Sequence, residues 1–488
     1  MTEHVDVLIV GAGLSGIGAA VHLQKHCPRH SFLILEGRAA IGGTWDLFRY
    51  PGIRSDSDMY TLGYNFKPWT QGKAIADGDA ILRYLDETIS EHRLQGRLRL
   101  GHRACSAAWD SVTARWTVSV EHEGEQRLFS CNFLYMCSGY YDYDEGFTPE
   151  FPGREQFTGQ FVHPQHWPAG LDYKGRKVVV IGSGATAMTL VPNLAREAEQ
   201  VVMLQRSPTY VISRPAQDRL ANTLRRYLPA MLAYQLIRWR NVLLQMFFFN
   251  LARWRPEKFR DRLLRLVRQE LGDDYDVERH FTPSYRPWQQ RLCLVPDSDL
   301  FTALKSGRAK MVTGHIERFT EHGIRLQDGE QLDADIIVSA TGLRLLLLGG
   351  MQLSVDGRPV NLADTFGYKG MMFSGVPNLA VAFGYTNASW TLKADLSSEY
   401  VCRLLNHMQA QGKAIVTPQL LGAEPVPAPW LDFTSGYVVR AMQLFPKQGD
   451  RLPWKLHQNY IKDLFLLRFS RLEDGVLTFS RPAAPGPE

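Results

Sequence analysis

Cysteine is scarce in this sequence: the six in 488 residues form no CxxC pair and no CxxC…HxxxH spacing. The pattern signals neither a disulfide framework nor a redox dithiol nor a zinc site, and it fits a reducing compartment. Long apolar runs are also missing. The most apolar window, residues 241–252, is broken by Gln245 and Asn250 and falls short of the roughly 20 residues a bilayer span needs, so no transmembrane helix is expected. The opening segment MTEHVDVLIV carries an acid at its third residue and runs straight into an apolar stretch. It lacks the charged n-region and small-residue cleavage site of a secretory leader, which points to the cytoplasm. Neither sign of charge dominates: 55 basic against 50 acidic side chains leave +5, which does not argue for nucleic acid. With 45% hydrophobic and 22% charged residues the composition is that of a globular protein, and the length allows roughly three domains.

Two segments carry a specific pattern. Val5 to Val10 is a β-branched apolar run, followed by Gly11-Ala12-Gly13-Leu14-Ser15-Gly16 and a helical apolar spacing through Leu23. In such a strand, turn and helix, Gly11 permits the turn, Gly13 lets backbone N–H groups approach a pyrophosphate, and Gly16 allows close helix packing. The next strand, Phe32 to Leu35, ends in Glu36, at the spacing of an acid that bonds ribose hydroxyls and repels a 2′-phosphate. Lys177 to Ile181 then repeats the strand and Gly182-Ser183-Gly184-Ala185-Thr186-Ala187 the turn, with a helix expected through Leu194. After the following strand, Val201 to Leu204, there is no acid but Gln205-Arg206-Ser207, a guanidinium and a hydroxyl suited to the 2′-phosphate of NADPH.

Two such units in one chain point to flavin plus nicotinamide, FAD at the first and NADPH at the second. Gly42-Gly43-Thr44-Trp45 follows Glu36 and again allows close backbone approach. Late in the chain Asp335 to Ser339 reads as a strand closed by Ala340-Thr341-Gly342, a return to the first domain, and Leu379 to Phe383 as another buried strand. Leu392, Leu396, Tyr400, Leu404 and Met408 mark one face of a helix starting near Thr391, whose N-terminal dipole would favour an anionic reduced flavin if it faces the ring, or which is an ordinary core helix.

Phe157, Gly159, His163, Trp167 and Pro168 spell FxGxxxHxxxWP just before the second glycine turn. This resembles the fingerprint of type I Baeyer–Villiger monooxygenases, and the segment from Gly42 to Asp56 looks like that family's flavin-proximal stretch. The resemblance implies that NADPH reduces FAD, that O2 is activated, and that one oxygen atom is inserted beside a ketone carbonyl to give an ester or lactone. It also implies oxygenation of sulfides or thioamides. It further implies that Arg291, in Pro287-Trp288-Gln289-Gln290-Arg291, is the catalytic arginine, that Asp56 orients it, and that His163 serves domain movement and NADPH handling. Gln290 stands where some relatives carry a lysine for the 2′-phosphate, which leaves that contact to Arg206. On residue chemistry alone, Arg291 reads as a surface charge, Asp56 as an Asx turn and His163 as a packing or capping histidine. The alternatives are a flavin monooxygenase that oxidises nitrogen or sulfur, and a non-catalytic membrane-attached flavoprotein.

The expected architecture is α/β with two Rossmann-like dinucleotide-binding domains: residues 1–144 and 333–488 for FAD, 145–332 for NADPH, and a helical insert at 215–285. Between Arg219 and Arg268 lie twelve Arg or Lys and two acids, so this stretch alone carries +10. Leu228, Leu232, Leu236, Trp239, Leu243, Phe247 and Leu251 form helical stripes interleaved with Arg225, Arg226, Arg238 and Arg240. One reading is a helical subdomain whose apolar stripes pack on the core and whose arginines are solvated. The other is a peripheral contact with an anionic membrane at its inner face, or a channel wall. No nucleic-acid reader motif accompanies the charge.

Overall fold

A computed structural model describes residues 2–290, 292–431 and 433–482 of the chain. The run Glu3–Val10 is an inner strand of a nine-stranded sheet, parallel to Phe32–Leu35 on one side and to Glu125–Met136 on the other. Because side chains alternate along a strand, Val7 and Ile9 feed one core while Leu8 and Val10 feed another on the opposite face. The first core is closed by the helices Leu14–His26 and Trp390–Ala410. The second is closed by the antiparallel strands Arg103–Asp110 and Arg115–His122, with Gln352–Val355 added at their edge. Leu379–Val381 pairs with Glu125–Met136, so the chain does come back late to this sheet.

The second domain is a five-stranded parallel sheet in the order Ala309–Thr313, Gln200–Gln205, Lys177–Ile181, Ile336–Ser339, Gln160–Val162. This corrects the expected boundary at residue 333. The strand Ile336–Ser339 is buried throughout and needs a parallel neighbour on each side, which Lys177–Ile181 and Gln160–Val162 provide. The return to the first domain therefore follows Ser339. The two interdomain crossings lie together: Tyr141–Gly146 pairs antiparallel with Leu343–Leu345.

The insert comprises the helices Arg219–Tyr227, Ala230–Trp254, Pro256–Leu271 and Val277–Phe281. Its placement overturns the expectation that the leucine stripe packs inward, and it buries Arg238 while the other arginines of the insert stay partly or fully exposed. The long helix docks on the FAD domain through Tyr234, Ile237, Arg238 and Val242, whereas Leu232, Leu236, Trp239, Leu243 and Phe247 face outward. Arg238 is only 3% exposed. Its guanidinium donates to the carbonyls of Tyr60 (2.9 Å) and Gly63 (2.7 Å) and pairs with Asp395 (3.3 Å), which satisfies a charge that burial would otherwise make costly. The next helix turns the other way, and Leu264 and Val267 enter the core of the second domain. The insert thus lies within the NADPH domain in sequence but spans both domains in space.

Candidate active site

At the first turn the Gly11 N–H donates to the Leu35 carbonyl (2.7 Å) and the Ala12 N–H to Glu36 Oε2 (2.8 Å). The second Glu36 oxygen accepts from the Arg38 N–H (3.0 Å). Burial pushes the Glu36 pKa up, and these bonds oppose the shift. A Cβ on Gly16 would stand 1.8 Å from the Gly11 carbonyl oxygen, so helix and turn pack at a distance only glycine allows. The helix that follows has Gly13 as its N-cap and no side chain capping its first N–H groups, which leaves donors directed at the position of a pyrophosphate. Gly43 lies across Gly13, and a Cβ on Gly13 would sit 3.6 Å from it. Thr44 Oγ1 is 3.3 Å from the Tyr143 hydroxyl, and Trp45 packs half-buried against the first core. Arg38 pairs with Asp46 (2.6 Å) and donates to the Gly43 carbonyl (3.2 Å), tying the Gly42–Gly43 segment to the acid's strand end. Neither Arg38 nor Tyr143 was legible as a site residue. An arginine two places after the strand-end acid was the available signal for the former, and burial pushes the Tyr143 pKa up to about 12.

The second turn repeats this design with one difference. Gly182 has φ +135°, and a Cβ there would come within 2.3 Å of the Ala340 carbonyl, seating the turn on the interdomain crossing. Gly184 caps the helix Ala185–Leu194, again with no capping side chain and with open space before it. Ala187 is buried and Thr186 half-buried, facing the Tyr50 hydroxyl, whose pKa burial pushes up. Arg206 and Ser207 are exposed at the end of Gln200–Gln205, and the Ser207 carbonyl accepts from Ser183 Oγ (3.0 Å). Arg206 therefore stands beside the glycine turn with no carboxylate partner among the described residues. The donor sets of both turns fit a dinucleotide, the first with an acid and the second with a guanidinium at the ribose position.

The fingerprint residues lie between these turns. His163 Nδ1 accepts from the Gln165 N–H (3.2 Å), so Nε2 carries the proton and donates to the Gly342 carbonyl (3.2 Å). Burial lowers the His163 pKa and favours this neutral tautomer. Thr341 Oγ1 donates to the Phe147 carbonyl (2.8 Å), and the Phe147 N–H to that of Gly342 (3.2 Å), joining the two crossings. Phe157 meets Phe319 edge-on, a Cβ on Gly159 would strike the Asp335 carbonyl at 2.4 Å, and Trp167 packs on the second domain's core beside exposed Pro168. Four of the five fingerprint positions are thus explained by packing or exposure, and His163 by a contact to the crossing.

Arg291 lies outside the described residues, so its expected pairing with Asp56 is not described either. The loop leading to it is held firmly. The Arg286 N–H donates to Gln289 Oε1 (2.8 Å), the Gln289 carbonyl accepts from Thr434 (3.1 Å from N, 3.0 Å from Oγ1), Gln290 bridges to Pro287, and the Trp288 ring meets Phe249 of the long insert helix at 5.5 Å. Asp56 is exposed, two residues after Arg54, which pairs with Asp299 of the second domain (2.5 Å). Phe249 also lines a cavity of about 430 Å³ between the long insert helix and the helix Tyr460–Phe469. Its inner wall is Asn387, Ala388 and Leu392, at the start of Trp390–Ala410. That start abuts the first turn's helix, since Trp390 Nε1 donates to Ser15 Oγ (2.7 Å). The expected helix near Thr391 thus begins one residue earlier, with its N-terminus toward the FAD turn.

Two dinucleotide turns of opposite ribose chemistry, stitched through one pair of crossings, define a flavoprotein oxidoreductase. A family model of flavin-binding monooxygenase-like proteins matches residues 79–347, and one of NAD(P)-binding Rossmann-like domains matches residues 9–71. The chain is 52% identical over 486 residues to the FAD-containing monooxygenase EthA of Mycobacterium tuberculosis, with 99% of each chain covered. It is 49% identical over 484 residues to the probable FAD-binding monooxygenase AlmA of Acinetobacter baylyi, covering 99% of this chain and 97% of that one. The chain belongs to the flavin-binding monooxygenase-like family. Its fold is similar to that of an oxidized steroid monooxygenase bound to NADP, with a TM-score of 0.77 at 22% identity over 98% of this chain and 100% of that one. It is also similar to a closed cyclohexanone monooxygenase, with a TM-score of 0.70 at 21% identity over 86% and 87%.

Proposed function

We propose that this enzyme is an FAD-dependent, NADPH-consuming Baeyer–Villiger monooxygenase of the cytoplasm that converts ketones to esters or lactones with O2 and also oxygenates sulfides or thioamides. The observation that carries the reading is the His163–Gly342 contact, which ties the fingerprint to the interdomain crossing in a chain that holds one glycine turn with a buried acid and one with an exposed guanidinium. When bound, FAD supplies the redox chemistry that couples NADPH oxidation to O2 activation. Glu36, Gly11, Gly13, Gly16, Gly43, Thr44 and Trp45 form its cradle, with Thr341 and Gly342 at the crossing. Gly182, Gly184, Thr186 and Ala187 receive the nicotinamide dinucleotide, and Arg206 with Ser207 its 2′-phosphate, Gln290 adding a neutral contact.

Arg291 brings a charge that no working pH removes to the reacting oxygen, and Asp56 orients it. The ketone enters the cavity walled by Phe249, whose ring touches the loop leading to Arg291. Product analysis by mass spectrometry over linear, cyclic and aryl ketones and sulfides tests the reading. Wild-type enzyme is expected to give esters or lactones, and Arg291→Ala to stay yellow, oxidise NADPH and release hydrogen peroxide instead. Ester formation by Arg291→Ala at the wild-type rate, or sulfoxide without ester from the wild type, would overturn it.

A further inference from the structure

The long insert helix exposes the stripe that its sequence would bury. Leu232, Leu236, Trp239, Leu243, Phe247 and Trp254 follow one another at helical spacing on one side, each between 40% and 74% exposed. From Leu232 to Phe247 the stripe runs about 22 Å along the helix, and Trp254 extends it beyond the exposed Asn250. Soluble monomers rarely leave a contiguous apolar face of that length uncovered. The neighbouring helix Tyr460–Phe469 adds Phe465 and Phe469, also exposed and in ring contact at 5.8 Å, and Trp239 meets Tyr460 across the join at 5.8 Å.

The charge beside this face is predominantly basic. Of the basic residues in 219–268, Arg238, Arg240, Arg260 and Arg268 are taken up by acids. Arg226, Arg253, Arg255, Lys258, Arg262 and Arg265 are exposed and have no carboxylate partner among the described residues. Arg253 and Arg255 lie over the rings of Phe249 and Trp254, at 5.7 and 4.6 Å, beside the end of the apolar stripe. A second copy of the chain would bring like charge onto like charge, whereas an anionic lipid surface offers apolar depth and phosphate together.

We infer that this face docks on an anionic bilayer, the long helix lying in the plane of the interface with its stripe among the acyl chains and its arginines at the headgroups. No helix of the described residues is long and apolar enough to cross a membrane, so the contact is peripheral. Trp254 and Arg253 also line the cavity, which sets the cavity wall beside the bilayer.

The test is co-sedimentation of the FAD-loaded full-length enzyme with vesicles of phosphatidylcholine containing about a third phosphatidylglycerol, against vesicles of phosphatidylcholine alone. Binding should be confined to the anionic vesicles and fall severalfold as salt rises from about 0.1 to 0.5 M, because the Debye length shrinks. Leu236→Glu/Leu243→Glu and, separately, Arg255→Glu/Lys258→Glu should each cut binding at least about tenfold. All four positions are exposed, and retained flavin content and NADPH oxidation would show the variants folded. No binding to anionic vesicles, equal binding to neutral ones, or unchanged binding by Leu236→Glu/Leu243→Glu overturns the inference. So does a dimer in sedimentation velocity that this variant dissociates, which would make a second copy the occupant. Sedimentation is read without turnover, so its outcome is separate from that of the product analysis.

Discussion

Arg238→Met should detach the insert from the FAD domain. The guanidinium is the anchor of the long helix, and its Nη1 donates to the buried carbonyls of Tyr60 at 2.9 Å and Gly63 at 2.7 Å. Methionine preserves most of the volume and removes the donors, so each carbonyl is left unsatisfied at about 1–3 kcal/mol. The partner carboxylate is less exposed to the loss, because Asp395 keeps the His22 ring (3.2 Å) and the Asn65 N–H (2.9 Å). The sum is about 4 kcal/mol, within the range for breaking a buried pair from one side. Because the cost lies in the carbonyls, Asp395→Asn added to Arg238→Met should recover less than about 1 kcal/mol. Urea unfolding followed by flavin fluorescence measures both values, and limited proteolysis around residues 254–256 reports the loosened helix. A shift under about 1 kcal/mol for Arg238→Met, or near-complete recovery in the double variant, would refute the reasoning.

Arg206→Ala should raise the Michaelis constant for NADPH about ten- to a hundredfold and leave that for NADH unchanged, since a charge-assisted phosphate contact is worth about 1.5–3 kcal/mol; parallel steady-state kinetics with the two coenzymes decide it. Gly16→Ala places a Cβ where the Gly11 carbonyl oxygen stands and should yield protein without flavin, read from the absorbance ratio of the purified enzyme. Burial lowers the His163 pKa, so on acidification the unfolded chain takes up this proton before the folded one. The stability His163 contributes is complete above its unfolded pKa of about 6.5 and is lost as the pH falls toward its folded value. His163→Gln should flatten the pH dependence of stability as the pH falls below about 6.5, and identical profiles for the two proteins would count against the role of the neutral ring.

The sequence determined what local geometry dictates. Both glycine turns, the strand Lys177–Ile181 and the helix Ala185–Leu194 stand where their spacing places them, because strand, tight turn and helix are specified by residues a few positions apart. Glu36 and Arg206 were legible for the same reason: a strand end fixes where the next side chain points. The tertiary structure decided everything that depends on which partner a face meets. Ile336–Ser339 reads equally well as a strand of either domain, and only its two parallel neighbours assign it to the second. The helix Ala230–Trp254 is apolar on more than one side, so periodicity marks a helix without saying which stripe is buried. Tyr234, Ile237 and Val242 fit the FAD domain and Arg238 finds carbonyls and Asp395 there, and that match turns the leucine stripe outward. A buried arginine cannot be told from a solvated one until its acceptors, more than 150 residues away in the chain, are brought to it.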